Sequence, residues 1–413
     1  MTAVFEQFLS TPEMVDLFGG DSVVQAMLDF EAALAQAQAE EGLIPAAAAQ
    51  AIVTACVVER FDVPALLAAS SRAGSLAIPL VKQLKQRVGE IDAHAVAHAH
   101  FGSTSQDVID TAMVLCTRRA LALIDRDLSR LVAGLLVQAD RHADAPLLAR
   151  TLMQPAAVTC FGFKLGGWLQ PLLHAQSRLH EAGKRALQLQ LGGAVGTLEA
   201  MGAAGPAVAR RLSQALQLRL PPAAWHTQRD EWVRLGCELG VLCGALGKQA
   251  RDWSLMGQGE VGELAEPSGE GRGGSTAMPH KRNPVAAMAG LAAAQRAPQR
   301  VAALLQAMVQ EHERALGGWQ AELAEWSGLL LLAHGGLHAM AEAAGGLQVN
   351  EARMREHIGL LEGASLAASD PDAAAAQARE HAGEWLARLR TQAAALAGAH
   401  PWSAWLPSQG HIA

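Results

Sequence analysis

Leu121, Ile124, Leu128, Leu131 and Leu135 recur at alternating spacings of three and four residues. A helix gathers such positions into one stripe, and this alternation marks a seam between packed helices. The stripe lies in a helical pattern that runs from Val108 to about Arg141. Trp232, Leu235, Leu239, Leu242 and Leu246 repeat the rhythm within a second pattern, from about Arg229 to Met256. Another helical pattern covers about Ala157 to Leu189. A fourth has Val301, Leu304, Leu305 and Met308 as its buried stripe, and Pro298 predicts a kink in it. Helices this long, apolar on more than one side, need more partners than one chain supplies. The sequence therefore predicts an all-α protein whose helical bundle is shared between subunits.

Composition agrees. Half the residues are hydrophobic, only 18% are charged and tyrosine is absent, which favours packed helices over disorder or a β-sandwich. The length of 413 residues allows two or three domains. Their expected limits are 1–105, a helical N-terminal domain; 106–345, the long-helix bundle with a loop at 257–284; and 346–413, a small helical C-terminal domain. In the first, Val24, Met27, Glu31, Leu34 and Gln38 fall at helical spacing until Gly42 and Pro45 stop the pattern. A second helix begins within Ala73–Lys82, where Pro79 takes a tolerable early position. The net charge of −7 argues against nucleic acid as a partner. No apolar run of about 18 residues predicts a membrane span, and Met1–Ser10 has no secretory pattern. Five scattered cysteines form neither a metal motif nor a disulfide framework. Together these features point to a cytoplasmic protein.

Three stretches carry groups capable of chemistry. His94 and His98 are four apart and could bind a metal on a helix, but no third ligand accompanies them, so no metal is expected. The run His100-Phe-Gly-Ser-Thr-Ser-Gln-Asp107 gathers small hydroxyl and amide groups just before a helix. Asp107 or Ser105 can serve as a plain helix cap, and the same groups can also donate several hydrogen bonds to one carboxylate. The third stretch is Gly271-Arg-Gly-Gly-Ser-Thr-Ala-Met-Pro-His-Lys-Arg-Asn-Pro-Val285, preceded by a glycine-rich segment. It joins a loose backbone, Ser275, Lys281 and Asn283 to a helix start at Pro284, where backbone dipoles add attraction for anions. Gly257-Gln-Gly-Glu-Val-Gly262 matches the dinucleotide fingerprint GxGxxG. It follows a helical pattern with no βαβ unit around it, so no nucleotide cofactor is expected.

The run Gly-Ser-x-x-Met-Pro-x-Lys-x-Asn-Pro at 274–284 closely resembles the signature loop of the fumarase/aspartase superfamily, whose members add or eliminate groups beside a carboxylate. The run from His100 to Asp107 is similar to the superfamily's first conserved region. The resemblance covers roughly residues 5–360. It implies a homotetramer on a twenty-helix core, with active sites shared between subunits, and a small-molecule polycarboxylate as substrate with no cofactor. It also implies Ser275 and Lys281 as catalytic groups. The substrate contacts would be His100, Ser103, Thr104, Ser105, Gln106, Thr151 and Asn283. Arg314, in Glu311-His-Glu-Arg314, is a further candidate contact that a solvated helix end explains equally well.

Two departures narrow the chemistry. The second conserved region normally reads Thr-His-x-Gln, but here it is Thr151-Leu-Met-Gln154, so Leu152 stands where a proton-transferring histidine is expected. The glutamate paired with that histidine in most members falls at Met288. Neither apolar side chain can transfer a proton, so the leaving group must need no acid. A carboxylate meets that condition. Trp225-His-Thr-Gln-Arg-Asp230 and Ala73-Gly-Ser-Leu-Ala-Ile-Pro-Leu-Val81 add to a resemblance to the 3-carboxy-cis,cis-muconate cycloisomerase family, which implies lactonisation of that triacid in aromatic catabolism. The competing expectations are a fumarate-releasing lyase of the adenylosuccinate or argininosuccinate class, and a non-catalytic crystallin-like tetramer.

Overall fold

The computed structural model describes residues 4–269, 271–274, 278, 281–359, 371–399, 401–402 and 404. Six helices come first: α1 (Val4–Phe8), α2 (Pro12–Leu17), α3 (Gly20–Glu40), α4 (Ala46–Ala55), α5 (Val63–Ala73) and α6 (Ala77–Ile91). Their ends follow from local chemistry. The Thr11 hydroxyl caps α2 by accepting from the Met14 amide, and Asp62 caps α5 by accepting from Ala65. Gly74, with φ of 72°, takes the left-handed turn that ends α5. The whole predicted stripe of α3 is buried, including its two polar members, Glu31 and Gln38.

The centre is built from α7 (Ser105–His142), α8 (Phe161–Ala186), α10 (Asp230–Met256), α11 (Val285–Ala307) and α12 (Gly318–Ala344), with the short α9 (Gly205–Ala215) set aside against α3. The five long helices form a ring in the order α7, α8, α10, α11, α12, and α10 also touches α12 across it. Both predicted leucine seams are fully inside. Trp232 of α10 stacks on Trp326 of α12 with centroids 3.9 Å apart, and the Trp326 indole donates to the Thr117 hydroxyl of α7 at 2.8 Å. Such a stack adds about 0.5–1.5 kcal/mol beyond the area it buries, so this one spot locks three helices together. The described residues are all-α apart from two small antiparallel sheets, β1 (Pro146–Thr151) with β2 (Gln154–Cys160) and β3 (Leu264–Ala265) with β4 (Gln348–Val349).

The observed elements correct the sequence reading in three places. Residues 157–160 belong to a β-hairpin, and the helix expected from Ala157 begins at Phe161. Leu305, assigned to a buried stripe, is 49% exposed, while Leu304 is buried. Helix α12 was not anticipated at all. Residues 328–337, with Leu329, Leu330, Leu331 and Leu332 among them, are all buried, and a stretch enclosed on every side has no polar face to give it a period.

After the bundle come α13 (Glu351–Ile358), capped by the Asn350 side chain, and α14 (Pro371–Ala397). Helix α14 lies on α8 and β2, with the Trp385 ring over Gly166, where an added β-carbon would sit 2.6 Å from the indole. No described helix is long and apolar enough to cross a membrane.

Candidate active site

The hydroxyl-rich run becomes the turn that starts α7. Gly102 has φ of 69°, and a β-carbon there would lie 2.8 Å from the Met201 side chain, so the turn requires glycine. Thr104 precedes the first turn of the helix, and its amide donates to Asp107 Oδ2 at 3.0 Å. Asp107 has no exposed surface. Its oxygens also accept from the amides of Gly192 (3.0 Å) and Gly193 (2.9 Å), and lie 2.7 Å from His226 Nε2. With four partners inside the protein, Asp107 orients the turn and has no capacity left for a ligand.

Arg314 meets this turn from the loop between α11 and α12. Its guanidinium donates to Thr104 Oγ1 at 2.9 Å, Gln106 Oε1 at 2.8 Å and Ser105 Oγ at 3.4 Å. A second tie holds the loop, since the Thr227 hydroxyl donates to the His312 carbonyl at 3.0 Å. Gln106 is buried, and its amide nitrogen donates inward to the His226 carbonyl (2.8 Å) and Asp110 (3.2 Å). Of the four residues at 103–106 expected to contact substrate, Gln106 is therefore a holder of Arg314. Asp110 is in turn fixed by the buried Arg229, which also pairs with Glu322. Burial pushes the Glu322 carboxyl up, and the Arg229 charge only partly offsets it. Ser103 lies half-buried beside Thr104. His100 has φ of 63° and places Nδ1 2.6 Å from Glu31 of α3.

The signature loop is anchored at both ends. Near its start the fully buried Glu263 receives a bidentate pair from Arg150 of β1 (3.0 and 2.7 Å) and lies 2.6 Å from His357 of α13. Its far end is held by Glu266, which accepts from the Ala286 and Ala287 amides at 2.9 and 2.8 Å. This changes the expected role of the helix start. Pro284 caps α11 rather than beginning it, and the first free amides are already held by the protein's own carboxylate. Asn283 donates from its backbone to the Gly273 carbonyl at 2.8 Å and from its side chain to Gly274 at 3.3 Å. Gly273 has φ of 64°, and a β-carbon there would meet the Asn283 carbonyl at 2.5 Å. Lys281 is exposed and has no ion-pair partner among the described residues. Beside it Arg272 and Arg282 line a cavity of about 590 Å³ together with Ser268, Gly269, Gly271 and Gly274. Ser275 lies outside the described residues.

Thr151 ends β1 at the tip of the hairpin, opposite Gln154. The two tip residues, Leu152 and Met153, both have positive φ (50° and 67°), as a two-residue turn between twisted strands demands. They are 96% and 67% exposed. Met288, in the first turn of α11, is 53% exposed. Thus the chain brings Thr104, Ser105, Gln106 and Arg314 together, while Lys281 with Asn283 and Thr151 occupy two other places. No hydrogen bond or ion pair among the described residues joins the three groups.

The metal question turns on geometry. His94 and His98 lie in a 3₁₀ helix, where residues four apart point about 120° away from each other. Among the described residues Asp127, His334 and His338 have ligand-like spacing. Asp127 is already surrounded there by Arg126 and Arg130 (each 3.0 Å) as well as by both imidazoles. Two guanidiniums on the one carboxylate oppose a further cation. The sequence reading missed Glu31, Glu263 and Glu266, whose only early signal was a carboxylate among apolar or glycine-rich neighbours.

The family profile described as Lyase matches residues 7–298. The chain belongs to this lyase family, the fumarase/aspartase superfamily that its motifs resemble. Among its relatives, the 3-carboxy-cis,cis-muconate cycloisomerase of Bradyrhizobium diazoefficiens is 46% identical over 367 residues, which are 89% of this chain and 81% of the relative. The nitrosuccinate lyase of Streptomyces davaonensis is 42% identical over 346 residues, 82% of this chain and 73% of the relative. The crystal structure of the 3-carboxy-cis,cis-muconate lactonizing enzyme from Pseudomonas putida superposes with a TM-score of 0.84 at 40% identity, covering 98% of both chains.

Proposed function

We propose that this chain lactonises 3-carboxy-cis,cis-muconate without a cofactor, in the protocatechuate branch of aromatic catabolism. The close relationship to enzymes of that name over nearly the whole chain carries the reading, and the joint replacement of an acid pair by Leu152 and Met288 supports it. One carboxylate of the triacid, already ionised at neutral pH, attacks the conjugated alkene. The new C–O bond closes the lactone, and the displaced π electrons move onto a second carboxyl group as an enolate-like dianion. Lys281 and the side chain of Asn283 stabilise that charge, which is fully present only after attack. Ser275 then delivers the proton to carbon and acts as the base in reverse. Thr104, Ser105 and Ser103, with Arg314 behind them, hold a second carboxylate, and Thr151 offers its hydroxyl from the hairpin.

These groups meet in a homotetramer, where five long helices per chain supply a twenty-helix core and each site takes its parts from different subunits. Exposure of Leu152, Met153, Met288 and Leu316 on the single chain supports this assembly, because apolar residues at a hairpin tip and on the Arg314 loop call for a covering surface. The five free cysteines fit a cytoplasmic protein. The relative named nitrosuccinate lyase makes elimination from a substituted succinate the second reading. An absorbance assay decides between them, with 3-carboxy-cis,cis-muconate set beside nitrosuccinate, adenylosuccinate and argininosuccinate. Rapid lactonisation alone is the expected result. Faster turnover of any of the succinates overturns the proposal.

A further inference from the structure

Two polar side chains interrupt the apolar stripe of α3, and burying them is costly unless each is paired. Both reach the same turn. The Gln38 amide donates to the Phe101 carbonyl at 2.7 Å, and Glu31 Oε1 lies 2.6 Å from His100 Nδ1. Between these two anchors the His100 backbone takes φ of 63°, a left-handed conformation that a residue with a β-carbon holds only when its surroundings impose it. The Glu31 side chain has no exposed surface, and its other oxygen has no hydrogen-bond partner among the described residues. Its ion-pair partner among the described residues is the His100 ring, which keeps 16% of its side-chain surface open. The second ring nitrogen, Nε2, has no partner among the described residues.

We infer that Glu31 is a positioning residue of the active site: its ion pair with His100 fixes a charged imidazolium whose Nε2–H is offered to a substrate carboxylate at the Ser103–Ser105 turn. This rests on the reading that the turn receives such a carboxylate. With Arg314 and Lys281, His100 supplies a third cation for a substrate with three carboxylates. The charged groups facing it are Glu31 from α3, Asp107 from α7 and Lys85 from α6. Burial pulls the His100 pKa down, but the charge and hydrogen bond of Glu31, helped by Asp107, outweigh burial and Lys85 and leave it raised. Affinity for the carboxylate is thus present at low pH and is lost as pH climbs through this raised value. Removing the Glu31 charge moves the loss to lower pH, and each pH unit of that movement costs about tenfold in imidazolium above the pKa.

The test compares wild type, Glu31→Gln and His100→Gln by two measurements. One is the pH profile of KM and kcat for 3-carboxy-cis,cis-muconate. The other is calorimetric binding of propane-1,2,3-tricarboxylate, an unreactive probe, in buffers of different ionisation enthalpy, which reports protons taken up on binding. Glu31→Gln is expected to bring the alkaline loss of affinity to lower pH in both, with the defect in KM rather than kcat. His100→Gln is expected to abolish that limb and the linked proton uptake while Glu31 is intact. Unchanged pH profiles in Glu31→Gln, or an alkaline limb that survives in His100→Gln, overturn the inference. A wild type that binds the probe in this Glu31-dependent way without turning over muconate supports it, and removes the proposed reaction instead.

Discussion

Replacing Asp107 by asparagine tests whether the turn before α7 depends on one buried carboxylate. Each oxygen of Asp107 serves two partners: Oδ1 the Gly192 amide and His226 Nε2, Oδ2 the Thr104 and Gly193 amides. Asparagine keeps a single acceptor, so in either orientation its NH2 faces two groups that were donors. Hydrogen bonds to a charged group contribute about 1.5–3 kcal/mol each, so losing two removes about 3–6 kcal/mol. If His226 changes tautomer and accepts from the new amide, one bond is lost and the cost falls to about 1.5–3 kcal/mol. Either loss loosens the turn that carries Thr104, and with it the hydroxyl that meets Arg314. Urea unfolding at fixed protein concentration measures the first effect, and KM measures the second. KM is expected to rise roughly tenfold, as for about 1.4 kcal/mol of lost binding. A variant within about 1 kcal/mol of wild type and with unchanged KM would refute the argument.

Ser275→Ala should lower turnover by roughly a hundredfold or more while leaving the unfolding curve in place, and near-normal rates would remove Ser275 from the mechanism. Thr104→Ala and Ser275→Ala, each inactive alone, should recover partial activity when co-assembled; no recovery in mixed oligomers, or an active monomer by light scattering, counts against shared sites. Leu152→His with Met288→Glu should abolish lactonisation without creating fumarate release from adenylosuccinate or argininosuccinate. Because both residues are exposed on the single chain, the cost of burying the new polar groups should appear as weaker assembly in sedimentation, not as a less stable chain.

How much could be read in advance depended on period. The α7 and α10 seams were legible because polar residues separate the leucines and give them a period, as Asp125, Arg126, Asp127 and Arg130 do in α7. Helix α12 has no such contrast. The β1–β2 hairpin was illegible for another reason: its tip is Leu152-Met153, with neither glycine nor asparagine to announce a turn at positive φ. In the site, the resemblance marked the stretches, and the turn at His100–Asp107 and the Arg314 loop do come together. What sequence order could not supply was the pairing across distance. Glu31 reaches His100 across 69 positions, Arg150 reaches Glu263 across 113, and Gln106 reaches Arg314 across 208. Spacing rules describe neighbours on one element, and these contacts exist only once the helices are packed.

Those distant pairings also decide where the positive potential of the site comes from. A helix start attracts anions through its free amides, and two long helices begin near the proposed groups. Each already carries a carboxylate of the protein: Asp107 in the first turn of α7, and Glu266 on the Ala286 and Ala287 amides of α11. Neither dipole is left for the substrate at full strength. In the proposed reaction a triacid would be met instead by side-chain cations, namely Arg314 at one helix, Lys281 with Arg272 and Arg282 near the other, and His100 between α3 and α7. Lys281 and Arg282 are exposed, so their attraction is screened by salt, unlike that of the more enclosed His100. The arrangement suits an addition in which charge moves from one carboxyl group to another. Backbone dipoles fixed at the helix starts would hold the reactant's carboxylates as firmly as the dianion, whereas the flexible side chain of Lys281 can turn toward the charge as it forms.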